Sequence, residues 1–258
     1  MMFPAAGNGA VRILTWKNGG LIYAGGQPTI KMRPHVIVNT AMSADGKLST
    51  RERRQVKISG SRDFARVDAL KAGCDAVMVG IGTVLADDPS LTVKSDENRQ
   101  GRLGRGAPLH PVRIVVDSRA RTPPGAKILH KEPGERIIAV SRAADPARLA
   151  ALAPHASVIV AGEEEVDLSR LLDELGDRGI RRLMVEGGGT LIAGLISAGL
   201  VDEIYTFIGN IVIGGKDAPT LADGPGFVQE SGFCRLRLDE VSRMEDGILV
   251  HWHVQHTP

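Results

Sequence analysis

What most constrains this chain is the way its apolar runs end. From Arg33 onward, short aliphatic stretches alternate with stretches of helical period, and twice an aliphatic run passes directly into glycine and then into a helix. The two junctions are Val79-Gly80-Ile81-Gly82-Thr83 and Val185-Glu186-Gly187-Gly188-Gly189-Thr190-Leu191. Strand–helix alternation implies parallel strands joined by crossover helices. The pattern predicts strands at His35 to Asn39, Ala76 to Val79, Val112 to Val116, Arg136 to Val140, Ser157 to Val160 and Arg182 to Val185. It predicts helices at Ser61 to Ala72, from Thr83, at Asp167 to Arg178 and at Thr190 to Ala198. Toward the C-terminus the helices stop. Asp202 to Ile208, Arg235 to Met244 and Ile248 to Val254 read as long strands, with Glu245-Asp246-Gly247 as a hairpin turn. The expected fold class is α/β: a mixed sheet, mostly parallel, with an antiparallel C-terminal hairpin and flanking helices.

No linker divides the ordered part, so residues 33–258 are expected to form one domain of ordinary size. Residues 1–32, rich in Gly, Asn and Pro, show no sustained period. They read as a disordered extension, an extra hairpin around Val11 to Trp16, or the product of an upstream start codon. Ser95 to Pro111 reads as a polar, Gly-rich surface loop. With 32 basic and 30 acidic residues interspersed, the chain has no basic stripe for nucleic acid. No apolar run approaches the ~20 residues needed to cross a bilayer, and no signal-peptide core is visible, so a soluble cytoplasmic protein is expected. Cys74 and Cys234 stand in no metal-binding spacing and read as buried apolar residues, and no metal site is expected.

Glycine at a strand-to-helix junction lets backbone N–H groups and the positive end of a helix dipole approach an anion. Three glycines in succession are more than a turn needs and cost conformational entropy, which favours a diphosphate cradle at Gly187, Gly188 and Gly189 over a plain tight turn. The spacing is not GxGxxG, so an ordinary Rossmann domain is disfavoured. At the other junction Gly80 and Gly82 allow a close approach. Thr83 there is either a phosphate-binding hydroxyl or a helix N-cap. Thr83 and Asp87, four apart, share a helix face. Asp45-Gly46-Lys47 is a tight turn that projects a cation, explicable by turn chemistry alone. The seven histidines are scattered and form no triad.

The segments NTAMSADGKL (39–48), VGIGTVLADDPSLTVK (79–94), VRIVVDSRAR (112–121), VEGGGTLIAGLISAGLVDEI (185–204) and IVIGGKDAPT (211–220) together resemble the reductases of riboflavin biosynthesis, most closely the stand-alone archaeal and fungal type. The resemblance runs from about Arg33 to the C-terminus. It implies a dihydrofolate-reductase-like fold, a homodimer, and hydride transfer from NADPH, with NADH as the competing reductant, to C1′ of a ribosylaminopyrimidine 5′-phosphate. Carried over by position, the cofactor would lie along Thr83, Asp87, Ser118 and Gly187 to Leu191 (through Thr190), with Ala41 and Lys57 nearby. Ser118 and Arg119, at a strand end, would receive the 2′-phosphate, with Arg121 and Arg142 as competitors. Substrate would meet Asp45, Lys47, Lys71, Leu91, Lys94 and Glu186. Lysine at 71 and 94 stands where related enzymes often carry arginine, so a point charge replaces a bidentate fork. Glu186 is the candidate catalytic residue, holding ribose hydroxyls or moving a proton.

The zinc-deaminase signature often fused to such reductases, H-x-E with P-C-x-x-C, is absent. That favours the diaminopyrimidine over the deaminated pyrimidine as substrate, although a separate deaminase would leave the same sequence. A dihydrofolate reductase is a further alternative on the same fold. It has no use for the ribose-phosphate residues Lys71 and Lys94. A catalytically silent nucleotide-binding module would have no use for Glu186 either.

Overall fold

A computed structural model describes residues 33–54 and 56–256, together with the backbone of two short strands nearer the N-terminus. Those strands, β1 (Leu14–Lys17) and β2 (Gly20–Tyr23), pair antiparallel as a hairpin within a separate N-terminal unit. The remainder of the expectations placed on residues 1–32 falls outside the described residues.

The second unit is built on a nine-stranded sheet. Its strands are β3 (His35–Met42), β4 (Ala76–Gly80), β5 (Val112–Val116), β6 (Arg136–Val140), β7 (Ser157–Val160), β8 (Arg182–Val185), β9 (Glu203–Ile208), β10 (Arg235–Met244) and β11 (Gly247–Gln255). They lie in the order β10-β11-β9-β3-β8-β4-β5-β6-β7. Seven neighbours from β9 to β7 run parallel, and β11 pairs antiparallel with both β9 and β10. This is the mixed sheet expected. The parallel strands are aliphatic without polar alternation because both faces are covered. Val36, Val38, Met78, Ile114 and Ile137 face one buried layer, while Ile37, Val77, Val79, Val115 and Ile138 face the other.

Helices α1 (Ser61–Ala72), α2 (Ile81–Asp87), α3 (Asp96–Gly104), α4 (Lys127–His130), α5 (Pro146–Leu152), α6 (Leu168–Asp177) and α7 (Gly189–Ser197) complete the unit. Local chemistry sets their ends. Asp145 caps α5, with Pro146 pre-set in its first turn, and Asp167 caps α6 by accepting from the Arg170 N–H. None of the helices among the described residues is long and apolar enough to cross a membrane.

Three expectations change. Ser95 to Pro111 is not a loop, since it contains α3. Ser95 accepts from the Asn98 N–H as N-cap, and Asp96 and Glu97 favour the first turn through the helix dipole. The buried Arg102 guanidinium donates to the carbonyls of Ala72, Cys74 and Pro108, pinning α3 to the end of α1. Polar composition concealed this helix because its anchor is a buried arginine and not an apolar stripe. Next, α2 starts at Ile81 with Gly80 as N-cap, so Thr83 lies within the first turn and does not open the helix. Finally, Cys74 is buried as expected but Cys234 is only partly so.

Candidate active site

The carboxyl ends of β3, β8, β4 and β5 lie side by side, and a cleft of about 1740 Å³ opens over them. That is where ligands bind on open parallel sheets. Asn39, Thr40 and Ala41 come from β3, Gly80 from the end of β4, Val116 from β5, and Glu186 follows β8, while α1 walls one side with Asp63, Asp68 and Lys71.

The two glycine junctions pack on each other at this edge. The Gly80 N–H donates to the Gly187 carbonyl at 3.2 Å. Gly187 (φ 148°) and Gly188 (φ 94°) occupy backbone conformations that side chains disfavour. Gly189 is different: a Cβ there would stand 2.7 Å from both the Thr220 carbonyl and the Asp223 carboxylate, so it is glycine to let the 220–223 segment close in. Neither α2 nor α7 has a side-chain cap at its N-terminus. First-turn N–H groups of both helices therefore need acceptors from elsewhere, as a diphosphate would supply. Thr83, Asp87, Thr190 and Leu191 line the cleft beside them, and burial pushes the Asp87 carboxyl above its ordinary pKa.

Glu186 and Lys71, read separately in the sequence, form one unit. Lys71 Nζ lies 3.0 Å from Glu186 Oε1, and the two side chains are only 11% and 14% exposed. Lys94 stands near. Burial first, and then the Lys71 ammonium, lower its pKa, and its Nζ donates to Ser90 Oγ at 2.7 Å and Thr92 Oγ1 at 2.8 Å. Asp68 holds this corner by accepting from the N–H groups of Lys94 and Ser95 and from Asn98 Nδ2. The Asp88–Leu91 turn carries two left-handed non-glycine residues, Asp88 (φ 43°) and the buried Leu91 (φ 53°). Such conformations persist only where surrounding structure enforces them. The buried Lys71 and the exposed Lys94 thus bring two ammonium groups to this corner, beside the carboxylates of Glu186 and Asp68.

Ala41, Lys57 and Ser118 also line the cleft, but Arg119, Asp45 and Lys47 do not. After β5 the chain makes a tight turn, closed by Asp117 accepting from the Thr122 N–H and hydroxyl. The turn directs Arg119 to Glu164, at 2.9 Å, and leaves Arg121 on the cleft lining, its Nε 3.7 Å from Asp117 Oδ1. Arg142 pairs with Glu163 at 2.9 Å. Asp45 accepts from Ser43 Oγ and from the N–H groups of Ile213 and Gly214, which hold its carboxyl down at about 2. Lys47 donates to the Ala218 carbonyl. Both tether the turn after β3 to the 211–220 segment, in keeping with the turn-chemistry reading.

The sequence reading missed Asn39, Asp63 and Asp68. Arg66 donates to Asp63 Oδ1 at 2.8 Å and to Asn39 Oδ1 at 2.7 Å, orienting the asparagine at the cleft floor. The available signal was an asparagine following the buried aliphatic run of β3, a place where an amide needs a dedicated partner.

Residues 34–250 match the model of the RibD C-terminal domain family. The chain belongs to that family. Among its relatives, a 2,5-diamino-6-ribosylamino-4(3H)-pyrimidinone 5′-phosphate reductase of Archaeoglobus fulgidus is 50% identical over 219 residues, 85% of this chain and 97% of that one. The protein of that name from Methanothermobacter thermautotrophicus is 45% identical over 224 residues, 87% of this chain and 100% of that one. In three dimensions this RibD-family chain is similar to Acinetobacter baumannii RibD, with a TM-score of 0.71 and 25% identity over 87% of its length. It spans 59% of that longer protein.

Proposed function

We propose that this chain reduces the ribosyl group of 2,5-diamino-6-ribosylamino-4(3H)-pyrimidinone 5′-phosphate to a ribityl chain in riboflavin biosynthesis, with NADPH as reductant. The reading is carried by the 50% identity to the A. fulgidus reductase over 97% of that protein's length. NADPH, when bound, supplies a hydride. The chain's own residues bind and position. The uncapped starts of α2 and α7, with Thr83, offer N–H and hydroxyl donors to a diphosphate, and glycine at 187 and 188 keeps that approach open. Ser118 and Arg121 form the polar end suited to a 2′-phosphate. Lys94 brings a cation to the substrate phosphate. The Lys71–Glu186 pair accepts from ribose hydroxyls through its carboxylate and holds an ammonium proton within reach of a ring oxygen.

We place the working form as a cytoplasmic homodimer. Leu236, Leu238, Val241 and Ile248, all exposed on the β10–β11 hairpin, support a second copy as the cover of that surface. The deciding test is cofactor oxidation, followed by absorbance, with the diaminopyrimidine and its deaminated counterpart in turn. Rapid oxidation with the diaminopyrimidine is expected. Preference for the deaminated compound would move the reaction to the other side of deamination, and no oxidation with either would remove the reading.

A further inference from the structure

Away from the cleft, three histidines and two carboxylates meet where β3, β9, β11 and the bulged part of β10 adjoin. Glu203 on β9 is at the centre. Its Oε2 lies 2.9 Å from His251 Nε2, and its Oε1 lies 2.7 Å from His35 Nε2. His251 and His253 sit two apart on β11 and so face the same side of the sheet, opposite Tyr205 and Glu203 in register. One ligand atom from each of Glu203, His251 and His253 falls within 4.8 Å of the others.

We infer that Glu203, His251 and His253 form a binding site for a divalent transition metal of zinc type, with Asp239 and His35 as its outer shell. A neutral imidazole carries one N–H, yet both ring nitrogens of His251 face carboxylates: Nε2 toward Glu203, and Nδ1 toward Asp239 Oδ2 at 2.9 Å. If Nδ1–H donates to Asp239, the Nε2 lone pair points at a carboxylate oxygen. A lone pair facing a carboxylate is relieved by a second proton on the ring or by a metal cation on the Nε2 side. Carboxylate–histidine–metal is the recurring way a ligating histidine is held in one tautomer. His35 fixes the other oxygen of Glu203 in the same manner.

The backbone supplies a second, independent sign. The β10–β11 register shifts between Leu238 and Glu240, a bulge that leaves Asp239 without a partner in the ladder. Bulges re-aim side chains. This one brings Asp239 to His251 and also to 3.4 Å from His253 Nε2. Two imidazoles and one carboxylate is a donor set that suits zinc, cobalt or nickel and not calcium or magnesium. The site joins the hairpin to β9. Tyr205, stacked on His251 at 4.0 Å, stands 5.7 Å from the Arg66 guanidinium that orients Asn39.

The test uses the full chain without a histidine tag, stripped with EDTA, and titrated with zinc sulfate or cobalt chloride. Bound metal is counted after gel filtration, and cobalt coordination is read from its visible absorption. About one metal per chain is expected, with a visible cobalt spectrum and a higher Tm than the stripped protein. His251→Ala and His253→Gln should each weaken binding about tenfold or more. Both should keep the circular dichroism of the stripped wild type, and turnover on the pyrimidine should remain, since neither residue lines the cleft. If His251→Ala fails to fold, the more exposed His253→Gln decides alone. No uptake above the stripped baseline, or uptake that His253→Gln retains undiminished, would overturn the assignment.

Discussion

The two strand-to-helix junctions at the mouth of the cleft look alike in sequence, yet their glycines are there for different physical reasons. After β8, Gly187 and Gly188 are required by positive φ, and Gly189 by the 2.7 Å approach of the Thr220 carbonyl. After β4, Gly80 has ordinary extended angles and a Cβ there would make only ordinary contact with Leu191, at 3.5 Å, while a Cβ on Gly82 would meet nothing within 4 Å. One junction is fixed by its own backbone. The other requires glycine neither by angle nor by close approach. A glycine run is thus several devices, and substitution separates them.

The largest effect is expected at Gly189. Adding a Cβ drives it into a backbone carbonyl that cannot rotate away, so Gly189→Ala should destabilise the fold by about 3 kcal/mol, read from chemical denaturation. A variant as stable as the wild type would show that the 220–223 segment yields freely, and Gly189 would rejoin its neighbours as part of the cradle. Glu186→Gln comes next. It preserves shape but leaves the Lys71 ammonium without its counter-ion, and turnover should fall by about tenfold to a thousandfold with NADPH affinity little changed. Loss of NADPH binding with turnover per bound cofactor intact would make Glu186 a support of the glycine loop instead.

Gly188→Val should raise the NADPH dissociation constant by about tenfold, or 1.4 kcal/mol, in a chain that still folds. Unchanged affinity would remove the cradle. Arg121→Ala should weaken NADPH by a few-fold, about 1 kcal/mol, while sparing NADH, because only NADPH carries a 2′-phosphate to meet the guanidinium. Arg119→Ala should do neither, since that side chain is held by Glu164. Equal losses for both cofactors in Arg121→Ala would assign the turn a structural task.

How much of this was legible beforehand follows the reach of each interaction. The sheet was visible because burial on both faces imposes aliphatic runs, and β5, β6, β7, β8 and β10 match their predicted bounds. Ser118 and Glu186 came from the resemblance to the riboflavin-biosynthesis reductases, and the structure places both on the cleft lining after β5 and β8. The Lys71–Glu186 pair was not visible, since its members lie on different elements and only the packing of α1 against β8 and its neighbours joins them. The same holds for Arg119 and Arg121. Two residues apart on a turn, they are separated by how Asp117 closes it, which composition does not encode. Helix α3 was hidden because a buried arginine replaced the apolar stripe that periodicity detects.

The smallest effect belongs to Gly82, and it completes the contrast with Gly189. Gly82 is the second residue of α2, its φ lies outside the left-handed region, and the space around a new Cβ is open. Alanine narrows the unfolded ensemble there and favours helix, so Gly82→Ala should stabilise the ligand-free protein by about 0.5 to 1 kcal/mol. The same methyl faces the cleft beside Thr83. NADPH affinity should therefore fall by about threefold, less than at Gly188, because the β4 junction is one flank of the cradle and the β8 junction its base. Denaturation of the free protein and cofactor titration of the same sample measure both quantities. If Gly82→Ala loses stability without ligand, α2 needs flexibility at its first turn and the two junctions are more alike than their backbone angles indicate.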